Sequence, residues 1–378
     1  MELNRFVRFA LPGVVLLSAL APPAFAGNGR ARSDIALYVR QCGAALACNG
    51  AYLVAQHGEI IYQGATGRMS TTRRTPVSND TAFDIGSISK QFTAAAIVRL
   101  AEQHKLGLDD RAADHLAGFP YPTITIRQLL TQTSGVPDVM PHYTRVVLGG
   151  AAQEPIDLAD IVDVLRTENL PLASPPGSTF AYSNTGYTLL GRIIESASGK
   201  TFATFLAEEF FQPLGMEHTW VRTPASESGA TPARAQGMRR TRNGSLKPND
   251  QIANLFLYGA GGVYSTTRDL LVWANALGSG KVMSPAHWAE ATTPTDLADG
   301  SRSRYGFGLD LKPSVLGNRS IAHGGHWRGF KSDLTMLPDD EVTIVILTNN
   351  SEDDEVEDAR NAFIGILVQD ADLTRVSD

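Results

Sequence analysis

The stretch FDIGSISKQFTAAAIVRLAE, residues 83–102, constrains the fold more than any other, because as a helix it has no polar face to turn toward water. Ile85, Ile88, Phe92, Ala94, Ala95, Ala96, Ile97 and Val98 make nearly every direction apolar, so the segment is expected to run through a core. Lys90 nevertheless lies at its mouth, three residues after Ser87. A buried ammonium is costly unless it is paired or sheds its proton. At this spacing the two side chains share a helix face, about 4.5 Å apart along the axis. Of seven lysines in the chain, only Lys90 has a serine three positions earlier. Two readings follow. Ser87 is a helix cap, or its hydroxyl faces a lysine whose desolvation lowers its pKa and lets it take the proton. A cap has no need of a lysine.

The surrounding pattern places this helix in a larger frame. Residues 34–46 read as a helix, and 51–65 as two alternating strands turning at His57 and Gly58. From 87 to about 300 the chain reads as mostly helical, with Thr125 and Gln128 at capping-box spacing. Strand patterns return in RYGFGLDL, RSIAHGG, FKSDLTML and VTIVILTN, before a terminal helix, NAFIGILVQ. The acidic run Glu352, Asp353, Asp354, Glu355 is read as the start of that helix, where carboxylates oppose the dipole. The polar stretch from Ser226 to Gln251 is expected to be an exposed loop. The order predicts an α+β chain: one antiparallel sheet built from both chain ends and flanked by the terminal helices. The sheet part covers about 34–86 and 300–370, and a large helical insert covers about 87–299. A site is expected at their seam.

Two further segments carry chemistry. In TFAYSNTGYTLLG, Tyr182, Ser183 and Asn184 form the only YxN in the sequence, directly ahead of an apolar helix. A phenol beside a cationic lysine can have its pKa lowered and act as acid or base, and an asparagine amide can orient a substrate amide or the lysine. In RSIAHGGHWRGF, a short strand ends in His323, Gly324, Gly325, His326. The glycines would let a substrate backbone approach, and the His326 N–H could join that of Ser87 as a donor pair for an oxyanion. A metal reading of HxxH lacks a third ligand and an acidic partner.

These residues resemble a known family. Ser87-x-x-Lys90, Tyr182-x-Asn184 and His323-Gly-Gly325, in that order with 95 and 141 residues between anchors, look like the three motifs of the penicillin-recognising serine hydrolases. The likeness is to the branch holding class C β-lactamases, D-alanyl-D-alanine carboxypeptidases, D-aminopeptidases and related esterases. TIRQLLTQTSGVPD, PLGMEHT, GAGGVYSTTRDLLVWANAL and YGFGLDL look like family segments too. The resemblance implies a β-lactamase-like fold and acyl transfer without metal or organic cofactor. It implies that Ser87 is acylated, that Lys90 and Tyr182 move its proton with Tyr182 the base for deacylating water, and that Asn184 holds substrate or tunes Lys90. Backbone N–H groups of Ser87 and His326 would form the oxyanion hole. His323 stands where class C β-lactamases have a lysine, which argues against efficient β-lactam hydrolysis. Arg328 is a candidate to restore the charge. Substrates implied are D-amino-acid peptides, amides or carboxylic esters, either free small molecules or derived from peptidoglycan. A class C-like β-lactamase and a sensor that is acylated without turnover are the rivals.

Other features bound the setting. Residues 1–26 carry Arg5 and Arg8 ahead of a proline-broken apolar run closing on Ala24, Phe25 and Ala26, a signal-peptide pattern, so the mature chain 27–378 is expected to be periplasmic or secreted. No cysteine stands directly after the cut, where Gly27 lies, and no long apolar run follows the leader, so no membrane anchor is expected. The whole chain has 33 basic and 39 acidic residues; loss of Glu2, Arg5 and Arg8 leaves 31 and 38, a balance that gives no support to a nucleic-acid partner. Cys42 and Cys48 could be bridged or free, since sequence does not fix the geometry a bridge needs. Oligomeric state is not legible. Gly199, Lys200 and Thr201 mimic the end of a P-loop and suggest a nucleotide-driven phosphotransferase, but no strand precedes them. A helix-ending glycine and a capping threonine account for them better.

Overall fold

A computed structural model describes residues 28–44, 48–72, 74–141, 159–228, 233–253, 255–256, 258–350 and 355–377. The leader expected over 1–26, and Glu352, Asp353 and Asp354 of the acidic run, lie outside these described residues.

The main sheet joins the two ends of the chain. Strands β1 (Gly50–Gln56) and β2 (Glu59–Thr66) form a hairpin whose turn residues, His57 and Gly58, both have positive φ. Strands β3 (Ile321–Trp327), β4 (Phe330–Leu337) and β5 (Val342–Thr348) form an antiparallel meander. The order is β3-β4-β5-β1-β2, with Gly50 opposite Thr348 and His323 opposite Leu334. Because side chains alternate along a strand, the central strands feed two cores. Ala51, Leu53, Val345 and Leu347 face the body of the molecule, whereas Tyr52, Val54, Ile344 and Ile346 pack with Ile35, Val39 and Phe363 of the terminal helices. Those helices are α1 (Asn28–Ala44) and a C-terminal helix, Glu355–Ser377. Cys42 at the end of α1 is disulfide-bonded to Cys48, with Cα atoms 5.1 Å apart, which settles the pairing the sequence left open.

Helix α2 (Ser89–Glu102) runs through the larger core with every residue from Ser89 to Val98 buried. Phe92 packs 4.1 Å from the Trp273 ring and edge-on to Phe211. Its complete burial stabilises the fold by about 2–3 kcal/mol. Helix α3 (Asn184–Ser198) lies against α2. A small sheet of Phe83–Asp84, Val263–Ser265 and Trp220–Val221 leads the chain into α2 through a 3-10 turn, Gly86–Ile88. The helix Thr267–Leu277, inside the mostly helical stretch, covers β1 and β5.

Two expectations are corrected. RYGFGLDL is no strand: it makes only isolated bridges, and Gly308, at φ +69°, lies against the Lys90 carbonyl where a Cβ would clash. The polar stretch 226–251 is not simply an exposed loop. It contains a hairpin of Met238–Arg240 and Leu246–Pro248, with Ala235 and Met238 fully buried. The other local signals appear as structure. Thr125 and Gln128 form a reciprocal capping box, Gly199 ends α3 in the left-handed region, and Thr201 caps the next helix. Among the described residues no helix is long and apolar enough to cross a membrane.

Candidate active site

The seam between sheet and helices gathers all three sequence motifs around one cleft of 970 Å³. Ser87 lies in the 3-10 turn, and Lys90 lies in the first turn of α2, wholly buried. Lys90 Nζ lies 3.0 Å from Ser87 Oγ, 2.9 Å from Asn184 Oδ1 and 2.8 Å from the Ala260 carbonyl. None of these partners is charged. Desolvation accordingly pushes the Lys90 pKa down to about 7, with the Asp138 carboxylate opposing the shift.

The Tyr182 loop is fixed from both sides. Ser183 caps α3 by accepting the Gly186 N–H, and Gln132 accepts the Ser183 N–H at 2.9 Å through Oε1 and the Ala181 N–H at 2.9 Å through its carbonyl. The Asn184 amide is oriented by Asp138, whose carboxylate accepts from Nδ2 at 3.2 Å and so turns Oδ1 toward Lys90. The Tyr182 ring lies 4.8 Å from the Lys90 ammonium, and the Ser87 hydroxyl acts on its phenol to favour the ionised form. The expectation that the neighbouring lysine would depress this phenol is not met. Burial of the hydroxyl end outweighs the effect of Ser87, Asp138 and Asp310 add to the upward shift, and the pKa is pushed up to about 12 although 41% of the residue remains exposed.

Strand β3 forms the opposite wall, and Gly325 also closes it on the turn that carries Ser87. A Cβ on Gly325 would overlap the Ile85 carbonyl and Ser332 Oγ, and one on Gly86 (φ +52°) would press on the His326 nitrogen. Gly325 thus lets the strand close on the turn that carries Ser87, bringing the His326 nitrogen beside that turn. A Cβ on Gly324 would meet only the Ser332 carbonyl, at an ordinary 3.7 Å. Ser332 tethers the same turn by donating to the Ile85 carbonyl at 2.8 Å.

His323 is 6% exposed and uncharged. Its Nδ1 donates to the Gly324 carbonyl at 2.6 Å, and Nε2 accepts from the Tyr305 hydroxyl at 2.9 Å. Burial first, and then the Lys90 charge, push its pKa down to about 3. It therefore supplies no cation. Arg328 does not replace one: its Nε donates to the Asp250 carbonyl at 3.2 Å, and the residue is not part of the cleft lining.

The sequence motifs missed Asp138, Gln132, the Ala260 carbonyl and Tyr305, all from segments distant in the chain. Gln132, Asp138, Ala260 and Tyr305 lie in TIRQLLTQTSGVPD, GAGGVYSTTRDLLVWANAL and YGFGLDL, so the signal available was family likeness rather than local spacing.

The arrangement matches known proteins. The Beta-lactamase family model matches residues 35–369. A penicillin-binding protein of Bacillus subtilis (strain 168) is 34% identical over 319 residues, covering 82% of this chain and 70% of that protein. A D-aminopeptidase of Cereibacter sphaeroides is 28% identical over 310 residues, 79% of this chain, and the chain spans 56% of that relative's length. The crystal structure of a penicillin-binding protein from Bacillus halodurans superposes with a TM-score of 0.72 at 27% identity, covering 88% of this chain and 99% of that one. With its antiparallel sheet, helical layers and buried Ser87–Lys90 pair, this chain belongs to the Beta-lactamase family, the penicillin-recognising serine hydrolases.

Proposed function

We propose that the protein is an exported hydrolase that cleaves D-amino-acid peptides, amides or carboxylic esters through an acyl-enzyme on Ser87. One observation carries this reading: the fully buried Lys90 has three hydrogen-bond partners, of which two, Asn184 Oδ1 and the Ala260 carbonyl, can only accept. When Lys90 is neutral, its two hydrogens go to those acceptors and its lone pair is left facing Ser87 Oγ.

The steps follow from that geometry. Neutral Lys90 takes the Ser87 proton as Oγ bonds to the substrate carbonyl carbon. The carbonyl oxygen, now negative, accepts from the Ser87 and His326 N–H groups, each worth roughly 3–4 kcal/mol in such sites. The bond to the leaving group breaks, and Tyr182, protonated with its pKa near 12, donates to the leaving atom. Lys90 returns the proton to Tyr182. Water then attacks the acyl carbon with Lys90 as base, a role first expected of Tyr182 but better suited to the amine with a pKa near 7; the bond to Ser87 Oγ breaks, Lys90 returns the proton to Oγ and the acid leaves.

Neutral His323 gives a carboxylate no fixed charge at the strand, which favours amide and ester substrates over β-lactams. The name of one relative, a D-aminopeptidase, supports the same choice. Export is supported by the leader pattern at 1–26 and by the Cys42–Cys48 disulfide, which belongs in an oxidising compartment.

The test is labelling with a fluorophosphonate followed by peptide mass spectrometry. Label on Ser87, lost in Ser87→Ala together with at least about 10⁴-fold of the turnover, is the expected result. Undiminished label on another serine overturns the assignment. Parallel incubation with a D-alanine anilide, an ester and a cephalosporin should release product from the first two. Stable acylation without release would make the protein a sensor.

A further inference from the structure

The two donors assigned to the oxyanion hole come from different elements, the Ser87 turn and strand β3. Glycine packing brings these elements into contact, yet contact alone leaves the strand free to tilt against the turn. A part-buried hydrogen-bond chain removes that freedom, and its central member is Gln251.

The orientation of the Gln251 amide is determined by its partners. The Trp327 indole can only donate, so its 2.8 Å bond identifies the amide oxygen of Gln251. Both amide hydrogens are then turned the other way, to Asp84 Oδ2 at 2.7 Å and to the Tyr264 hydroxyl at 2.7 Å. Asp84, 1% exposed, uses its second oxygen to accept the Gly86 N–H at 2.8 Å. Gly86 directly precedes Ser87, and Trp327 directly follows His326. Each end of the chain is therefore one residue from an oxyanion donor. Every polar atom of the Gln251 amide is used, so the bridge has one arrangement.

We propose that Gln251, acting with Asp84, is a positioning residue that sets the separation and direction of the Ser87 and His326 N–H donors. This rests on the acyl-transfer reading above. Gln251 lines the cleft, but its amide spends every polar atom on this chain and none on Ser87, Lys90 or Tyr182. Its removal should weaken binding of the transition state while leaving ground-state binding nearly intact. Because the donors stay present but shift, the loss should be smaller than the roughly 10²–10³-fold seen when a donor is deleted.

The experiment compares wild type, Gln251→Ala, Trp327→Phe and the double variant for kcat, KM, thermal midpoint and the Kd of phenylboronic acid, whose tetrahedral adduct places an oxygen in the hole. Gln251→Ala should lose about 10–30-fold in kcat and in boronate affinity, with KM within about threefold. Trp327→Phe should lose about 3–5-fold in the same two quantities, and the double variant should be no worse than Gln251→Ala, as for members of one chain. A lower thermal midpoint with unchanged boronate affinity makes the chain structural only and overturns the proposal. Additive losses in the double variant overturn it too. Should Gln251→Ala not fold, Trp327→Phe, which deletes one N–H, carries the test, and unchanged kcat and boronate affinity then refute it. Wild-type protein that fluorophosphonate does not label at Ser87 would instead refute the acyl-transfer reading.

Discussion

Lys90 and Asp333 are both buried ionisable groups, and the two regions that hold them do so in opposite ways. On the face of the sheet covered by the terminal helices, Asp333 of β4 is held by Arg360 of the C-terminal helix at 3.1 Å and by the Thr335 hydroxyl at 2.6 Å. Burial still raises its pKa, but the guanidinium opposes that and keeps a charge partner at hand. At the seam, Lys90 receives three neutral acceptors and no carboxylate within hydrogen-bond reach. Charge pairing stabilises an ion where it is. Neutral acceptors with full burial leave a group able to change its protonation state near pH 7, which proton transfer needs and structural support does not.

The largest effect that can break this comparison comes from Lys90→Arg. The substitution keeps a cation but removes the ability to shed its proton, since guanidinium stays protonated. Ester turnover should fall by about 10³–10⁴-fold, the upper range for loss of a general base. Steady-state assays that return activity within about tenfold of wild type would show that charge alone suffices and that the contrast drawn here is empty.

Arg360→Ala is the converse on the paired side. It leaves Asp333 without its ion-pair partner and should lower stability by roughly 2 kcal/mol, less than the ~3–5 of fully buried pairs because a quarter of the Arg360 side chain is exposed to water. Urea denaturation measures the loss. Turnover per folded molecule should stay within about twofold, because Asp333 and Arg360, although at the margin of the cleft, hydrogen-bond each other and none of Ser87, Lys90 or Tyr182. A catalytic defect larger than the stability defect would mean that the two regions are coupled.

Tyr182→Phe sharpens the comparison within the seam. With a phenol pKa near 12, the resting residue is an acid, so its loss should matter most when the leaving group needs a proton. Amide hydrolysis should fall by about 10²-fold and hydrolysis of a nitrophenyl ester by much less. Equal losses on both substrates would assign Tyr182 to the base role instead.

Much of this site could be read from the sequence because its chemistry is local in the chain. Ser87 and Lys90 are one helical turn apart inside an apolar run, and Tyr182 and Asn184 flank a helix cap. Those pairs come together for reasons that short-range geometry dictates. Ala260 lies 170 residues from Lys90, and Asp138 lies 46 from Asn184, so their places depend on how helices pack rather than on spacing. The Tyr182 misreading has the same origin. A neighbouring lysine was visible in the motif, whereas burial, the larger influence, is a property of the assembled cleft. RYGFGLDL misled for a related reason. Tyr305, Phe307 and Leu309 alternate as in a strand and are all buried, but Gly308 turns the chain against α2.

The smallest effect concerns pH, and its sign separates the two modes of burial most finely. Lys90 loses its proton near pH 7 in the folded protein and near 10.5 when unfolded. Below 7 it is charged in both states, and the cost of burying the ammonium is fully present. Between 7 and 10.5 the unfolded chain binds more protons, so this group makes stability rise with pH, opposite to Asp333, whose burial-raised pKa makes the folded chain bind more protons and stability fall as pH rises above the usual carboxylate range. Turnover should follow the neutral amine, rising through about 7, while His323, pushed down to about 3, does not titrate in that window. Asp138 is the one carboxylate that opposes the shift, and Asp138→Asn, which retains an acceptor for the Asn184 amide, leaves desolvation unopposed. The midpoint of the kcat/KM profile should therefore move to lower pH, by less than about one unit, since Asp138 is exposed and water screens its charge. A midpoint that moves upward would mean that the titrating group is not Lys90.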